Sequence, residues 1–180
     1  MEEKIVIAVS GPAGSGKTSH AKKLSETFNL RYVSAGQIFR RIARERGLSL
    51  IELSVLAERN PVVDLEVDYR SRMEALKGNV VIEGHLTAWI VRDIADVAIY
   101  TYAPLDVRIR RIAEREGKNF KEAFIETLMR ERSQAKRFRM FYGIDVYDTS
   151  IFDLVIDTSK MSFEETSNII VSYVKSKCFK

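Results

Sequence analysis

The chain has 180 residues, 46% hydrophobic and 30% charged, with a net charge of +4 and a pI of about 9.2. That length supports one domain with a real core, and no apolar run approaches the ~20 residues a bilayer span needs. A single cysteine, Cys178, excludes an intrachain disulfide, and two histidines leave no Cys/His cluster for zinc.

Taken in chain order, the first strand is "KIVIAVS" (4–10), preceded by two acids rather than an apolar signal region, so the reading is a cytoplasmic protein with no membrane segment. The strand runs into Gly11, Pro12, Ala13, Gly14, Ser15, Gly16, Lys17, Thr18 and Ser19, in which Gly11, Gly16, Lys17 and Thr18 fit G-x-x-x-x-G-K-[ST]. Glycines let backbone N–H groups wrap an anion at a helix N-terminus, where the helix dipole also favours negative charge. Lys17 can reach the β- and γ-phosphates of ATP, and the Thr18 hydroxyl can ligate Mg²⁺. The helix that follows puts Ala21, Leu24 and Phe28 on one face.

A second strand, "RYVS" (31–34), is followed by a long gap, 35–78, that reads as three helices, about 36–46, 49–59 and 62–77, broken at Pro61. A simple crossover needs one helix, so the gap predicts an inserted helical flap. The third strand, "NVVIEG" (79–84), ends on one acid, Glu83, followed by Gly84. At the carboxyl end of a parallel sheet that carboxylate would lie beside bound phosphates and could hold Mg²⁺ through water. No N-K-x-D or D-x-x-G sequence marks a guanine-binding switch protein. The fourth strand is "VAIYTYA" (97–103), the fifth "FDLVIDTS" (152–159), and Ser162 with Glu165 forms a capping box opening the last helix. Strands apolar almost throughout, alternating with helices, predict an α/β fold with a buried parallel sheet.

Between the fourth and fifth strands lies a second insertion, about 118–142. Its segment "LMRERSQAKRFRMFYG" (128–143) is cationic on two sides. On a helix Arg130 and Arg137 fall within about 20° of each other, while Arg132, Lys136 and Arg139 lie nearly opposite. With no apolar stripe to bury, the element is expected to be poorly held alone and to serve as a lid over polyphosphate.

Beyond the phosphate loop, "VSAGQIFR", "RERGLSL", "NPVVDLEVD", "KGNVVIEG" and "YGIDVYDTSIFDLVIDTS" resemble the nucleoside monophosphate kinases, and most closely the archaeal-type cytidylate kinases, over about residues 4–175. The resemblance implies a P-loop kinase fold with strand order 2-3-1-4-5. It divides the single domain, 1–180, into a core (1–34, 79–117, 143–180), an acceptor flap (about 35–78) and a short lid (about 118–142). It implies transfer from ATP, with Mg²⁺, to CMP or dCMP. Arg40 would grip the acceptor phosphate, with Ser34, Gly36 and Gln37 at the mouth of that site and Glu83, Gly84 and His85 beside it. Asp64 and Asp68 would meet the base or ribose, or form a solvated acidic face. Lys17 with lid arginines Arg132 and Arg137 would be catalytic, and Arg108 or Arg111 would pack on the donor adenine. The chain departs from the family at "EGHLTAWI", where His85 replaces an expected arginine and Ala88 an expected glycine. Other acceptors (AMP, UMP, shikimate) and an ATP-sensing RNA-binding protein remain alternatives. The kinase reading needs no obligatory nucleic acid and fits a monomer or small homo-oligomer.

Overall fold

A computed structural model describes residues 4–179. In chain order the elements are β1 (Val6–Ser10), α1 (Lys17–Phe28), β2 (Arg31–Ser34), α2 (Ala35–Glu45), α3 (Leu50–Arg59), α4 (Val62–Leu76) and β3 (Val80–Glu83). They continue with α5 (Thr87–Val91), β4 (Val97–Tyr102), α6 (Leu105–Glu116), α7 (Phe120–Tyr142), β5 (Leu154–Asp157) and α8 (Phe163–Cys178). The five strands form one parallel sheet in the order β2-β3-β1-β4-β5, as expected. Among the described residues, no helix is long and apolar enough to cross a membrane.

Central strands β1 and β3 are buried at every position, which is why their sequences run apolar without alternation. Alternation persists in which face each side chain serves. Ile7, Val9, Val81, Val97 and Ile99 pack under α1 and α8. Val6, Ala8, Val80, Ile82 and Ala98 pack under α4 and α5. Paired residues of parallel strands share a face, so Ser34 and Glu83, in register at the sheet's carboxyl edge, reach that edge together.

Helices α2, α3 and α4 carry their own small core of Ile38, Ile42, Leu53, Ala57, Val63 and Val67. Pro61 stands at the N-cap of α4, where its missing N–H costs nothing. The expected capping box at Ser162 and Glu165 is present, and Ser49 with Glu52 forms a second one at α3.

Helix α7 differs from the expectation of a short, poorly held element. It is one continuous helix of 23 residues. Its first turns do have an apolar face: Ala123 and Phe124 pack on Ile109, Ile112 and Ala113 of α6. The expectation considered the arginine-rich half alone, and the anchor lies N-terminal to it.

His20, on the buried side of α1, shares a 3.0 Å hydrogen bond with Ser167 of α8, and its ring stacks on Phe163 at 4.9 Å. Burial, aided by the nearby Arg111, pushes its pKa down to about 4 from an ordinary 6.5. Between those values the unfolded chain binds a proton that the folded chain refuses, so stability rises with pH across this window. Thermal melts followed by circular dichroism are expected to show His20→Gln gaining midpoint relative to wild type on acidification from pH 6.5 towards 4.

Candidate active site

The turn between β1 and α1 is shaped around an anion. Gly11 has φ 152°, and a Cβ there would lie 2.2 Å from the Thr101 carbonyl oxygen, so only glycine lets the chain leave the strand here. Gly14 and Gly16 are also left-handed, with Gly16 as the N-cap of α1. Side chains from other elements brace the loop. Ser15 Oγ and Thr101 Oγ1 are 2.8 Å apart, and the Thr158 hydroxyl donates to the Ser15 carbonyl at 3.0 Å.

Two arginines of α6 complete the bracing. Arg108 is 8% exposed and donates to the carbonyls of Ala103 and Ala13 and to Glu131 of α7, the last at 2.6 Å. The same Glu131 oxygen accepts the Ala13 N–H at 3.2 Å. Arg111 donates to the Gly14 carbonyl at 3.2 Å and to the Thr158 hydroxyl and carbonyl at 2.9 and 2.7 Å. The Arg108 guanidinium is thus enclosed by loop carbonyls and a carboxylate. Of the pair, only Arg111 keeps part of its side chain open to solvent.

Lys17 lies at the mouth of the loop, with Nζ 3.4 Å from the Pro12 carbonyl. Burial lowers its pKa to about 8, helped by Arg130 and Arg115 and opposed by Glu83 and Glu131. Thr18 is exposed, and its hydroxyl has no protein partner among the described residues. Glu83 is 4% exposed and accepts a hydrogen bond from the Tyr32 hydroxyl at 3.0 Å. No group of three or more His, Cys, Asp or Glu among the described residues could hold a metal alone. One hydroxyl and one carboxylate beside a phosphate loop suit Mg²⁺, which is carried largely by phosphate oxygens and water.

Across the sheet edge, Ser34 N-caps α2 by accepting the Gln37 N–H at 3.3 Å. Gly36, Gln37 and Arg40 are exposed on the first turns of α2. Arg40 makes no hydrogen bond or ion pair among the described residues, so its guanidinium is available to a ligand. Gly84 cannot carry a side chain, because a Cβ would come within 2.3 Å of Thr87 Oγ1 and 2.7 Å of Ala35. His85 is half-buried. Its burial, with Lys17, Arg130 and Arg108 nearby, pushes its pKa well down and keeps the ring neutral. The position therefore offers a neutral hydrogen-bonding ring.

On the Arg130/Arg137 face of α7, Arg137 is buried and Arg130 stays exposed. Arg130 acts on both Lys17 and His85. Arg132, on the opposite face, is exposed and makes no hydrogen bond or ion pair among the described residues. Arg137 faces inward but is already engaged. Its Nε donates to Asp64 Oδ2 at 2.8 Å and its Nη2 to Oδ1 at 3.3 Å, with both side chains 8% exposed. Asp64 is thus not a solvated acid. Asp68 accepts from the Tyr142 hydroxyl, and burial pushes its pKa up to about 7 despite that bond. Ser133 donates to Glu58 at 2.6 Å. Three contacts thus clasp α7 to α3 and α4.

Beneath α7 is a cleft of about 240 Å³ lined by Gly11, Pro12, His85, Tyr100, Gln134 and Phe138, among others. Gln134 Oε1 is buried there without a hydrogen-bond partner among the described residues. Sequence reading missed Gln134, Glu131 and Tyr32. Gln134 follows Arg130 by four residues and precedes Arg137 by three, so helical spacing alone places it on the same face.

A nucleotide-phosphate loop on this sheet, facing an unpaired arginine across a strand-end carboxylate, defines a P-loop phosphotransferase. The chain belongs to the cytidylate kinase-like family, whose model matches residues 6–160. A cytidylate kinase of Staphylothermus marinus is 57% identical over 171 residues, covering 95% of this chain and 97% of its own. One from Aeropyrum pernix is 53% identical over 163 residues, covering 91% and 95%. Among solved structures, a shikimate kinase of Bacteroides thetaiotaomicron superposes with a TM-score of 0.63 at 15% identity over 97% of this chain and 98% of its own, a likeness of fold alone.

Removing one partner of a buried ion pair strands the other. Asp64→Asn is expected to destabilise the protein by about 3–5 kcal/mol in urea unfolding, and Asp64→Leu combined with Arg137→Met to recover most of that loss.

Proposed function

We propose that this protein transfers the γ-phosphoryl group of ATP to CMP, and to dCMP, giving ADP and the corresponding diphosphate in the cytoplasm, without a nucleic-acid partner. The family and its cytidylate kinase relatives support a CMP kinase. The observation that carries the base assignment is Gln134 Oε1, an unpaired buried acceptor in the cleft. Its carbonyl oxygen can accept from an exocyclic amine such as N4 of cytosine, and a buried acceptor left unpaired costs about 1–3 kcal/mol.

Helices α2–α4 act as the acceptor flap and α7 as the lid. Arg40 grips the acceptor phosphate through its planar guanidinium. An ionised phosphate oxygen is already a nucleophile, so no general base is required. Lys17 enters with a lowered pKa, and an arriving polyphosphate restores its preference for the charged form. Arg130, whose charge acts on both Lys17 and His85, neutralises charge on the group in flight. Thr18 and Glu83 would hold Mg²⁺, which would offset the charge of the bound phosphates. The loop braces keep the backbone donors fixed, so positioning and charge stabilisation carry the rate.

ADP release measured across CMP, dCMP, UMP, AMP, GMP and shikimate is expected to be fast with CMP and dCMP and slow with the rest. Acceptor-independent release at the same rate would refute the kinase reading. Within the lid, Arg130→Ala is expected to lower kcat by roughly 10²–10³, while Arg132→Ala leaves it near wild type. Equal losses in steady-state assays would remove the distinction between the two faces.

A further inference from the structure

The mechanism above leaves Tyr32 without a task, yet its hydroxyl gives the only hydrogen bond that the Glu83 carboxylate receives from the described residues. We propose that Tyr32 is a positioning residue for phosphoryl transfer: its phenol fixes one oxygen of Glu83 so that the other faces the phosphate loop. The proposal rests on the donor-side role given to Glu83.

The register explains why a tyrosine is needed. Ser34 pairs with Glu83 and Tyr32 with Val81, so Tyr32 starts two residues short of the carboxylate on the same face of the sheet. At about 3.3 Å per residue that gap is roughly 6.6 Å, a span that a phenol can bridge. A shorter hydroxyl at position 32 would fall short, and a phenylalanine would reach but donate nothing. The ring is held on its outer side by Lys22 of α1, whose Nζ lies 5.8 Å from the ring centroid. Its inner side packs against the core cluster under α1 and α8.

Glu83 needs such support. It is 4% exposed, so little water is available to orient it. Lys17, whose charge interacts with it, is also required by the phosphates and cannot fix the carboxylate rotamer at the same time. A neutral donor from the neighbouring strand orients the carboxylate while leaving its charge for the donor side. Partners of this kind, behind the groups that hold a metal, typically change affinity or activity by 10–100-fold when removed.

The test compares Tyr32→Phe, Glu83→Gln and the double variant. Two readouts are taken: steady-state kinetics with CMP, and calorimetric binding of a non-hydrolysable ATP analogue with and without Mg²⁺. Tyr32→Phe is expected to lower kcat by about 10–100-fold with an unchanged KM for CMP, and to weaken only the Mg²⁺-dependent part of analogue binding. The double variant is expected to lose no more than Glu83→Gln alone. Wild-type kcat and Mg²⁺-dependent binding in Tyr32→Phe, beside a crippled Glu83→Gln, would overturn the positioning role and leave Glu83 in place. A defect confined to the KM for CMP would make Tyr32 an acceptor contact and overturn it too. A fully active Glu83→Gln with normal Mg²⁺-dependent binding would instead remove the donor-side role, and the proposal with it.

Discussion

The ion pair between Arg108 and Glu131 holds one residue of the phosphate loop by both its polar backbone groups. Glu131 accepts the Ala13 N–H, and Arg108 donates to the Ala13 carbonyl. The two charges are bound to each other at 2.6 Å, with side chains 10% and 16% exposed. A glycine-rich loop has many conformations to lose, and this clamp limits them before any ligand arrives. The clamp also sets where α7 lies, because Glu131 belongs to that helix. Loop shape and lid position are therefore one constraint.

The site works by dividing a large stock of arginine between two states. Arg108, Arg111 and Arg137 are committed to protein acceptors. Arg40 and Arg130 have no hydrogen bond or ion pair among the described residues. A committed guanidinium braces the backbone. An uncommitted one beside Lys17 or at the head of α2 lowers the cost of bringing a phosphate out of water. The net charge of the chain is silent on this division, which depends on where each acidic or carbonyl partner sits.

The same division marks what was legible in the sequence. The phosphate loop, the strands and the three helices after β2 were readable because they rest on local spacing and apolar periodicity, and the strand order came from the family resemblance. The lid arginines were only half readable. Their helix has two cationic faces, and the face that turns inward is chosen by Asp64, which lies 73 residues before Arg137, and by Arg108, which lies 23 before Glu131. Nothing in a helical wheel encodes those partners. Tyr32 and Glu83 are 51 residues apart and meet only through the β2–β3 register. Gln134 is different, since its helical spacing from Arg130 is itself in the sequence.

The clasp between α7 and the α3–α4 pair has a thermal consequence. Its central bond joins two charges that are each 8% exposed, so opening it returns both to water. The hydration that rewards such opening carries a strongly negative entropy and weakens on heating. Apolar burial per unit area, by contrast, levels off. As the solution warms, a growing share of what holds these helices together is electrostatic, and the joint resists parting best where the rest of the fold has stopped gaining strength.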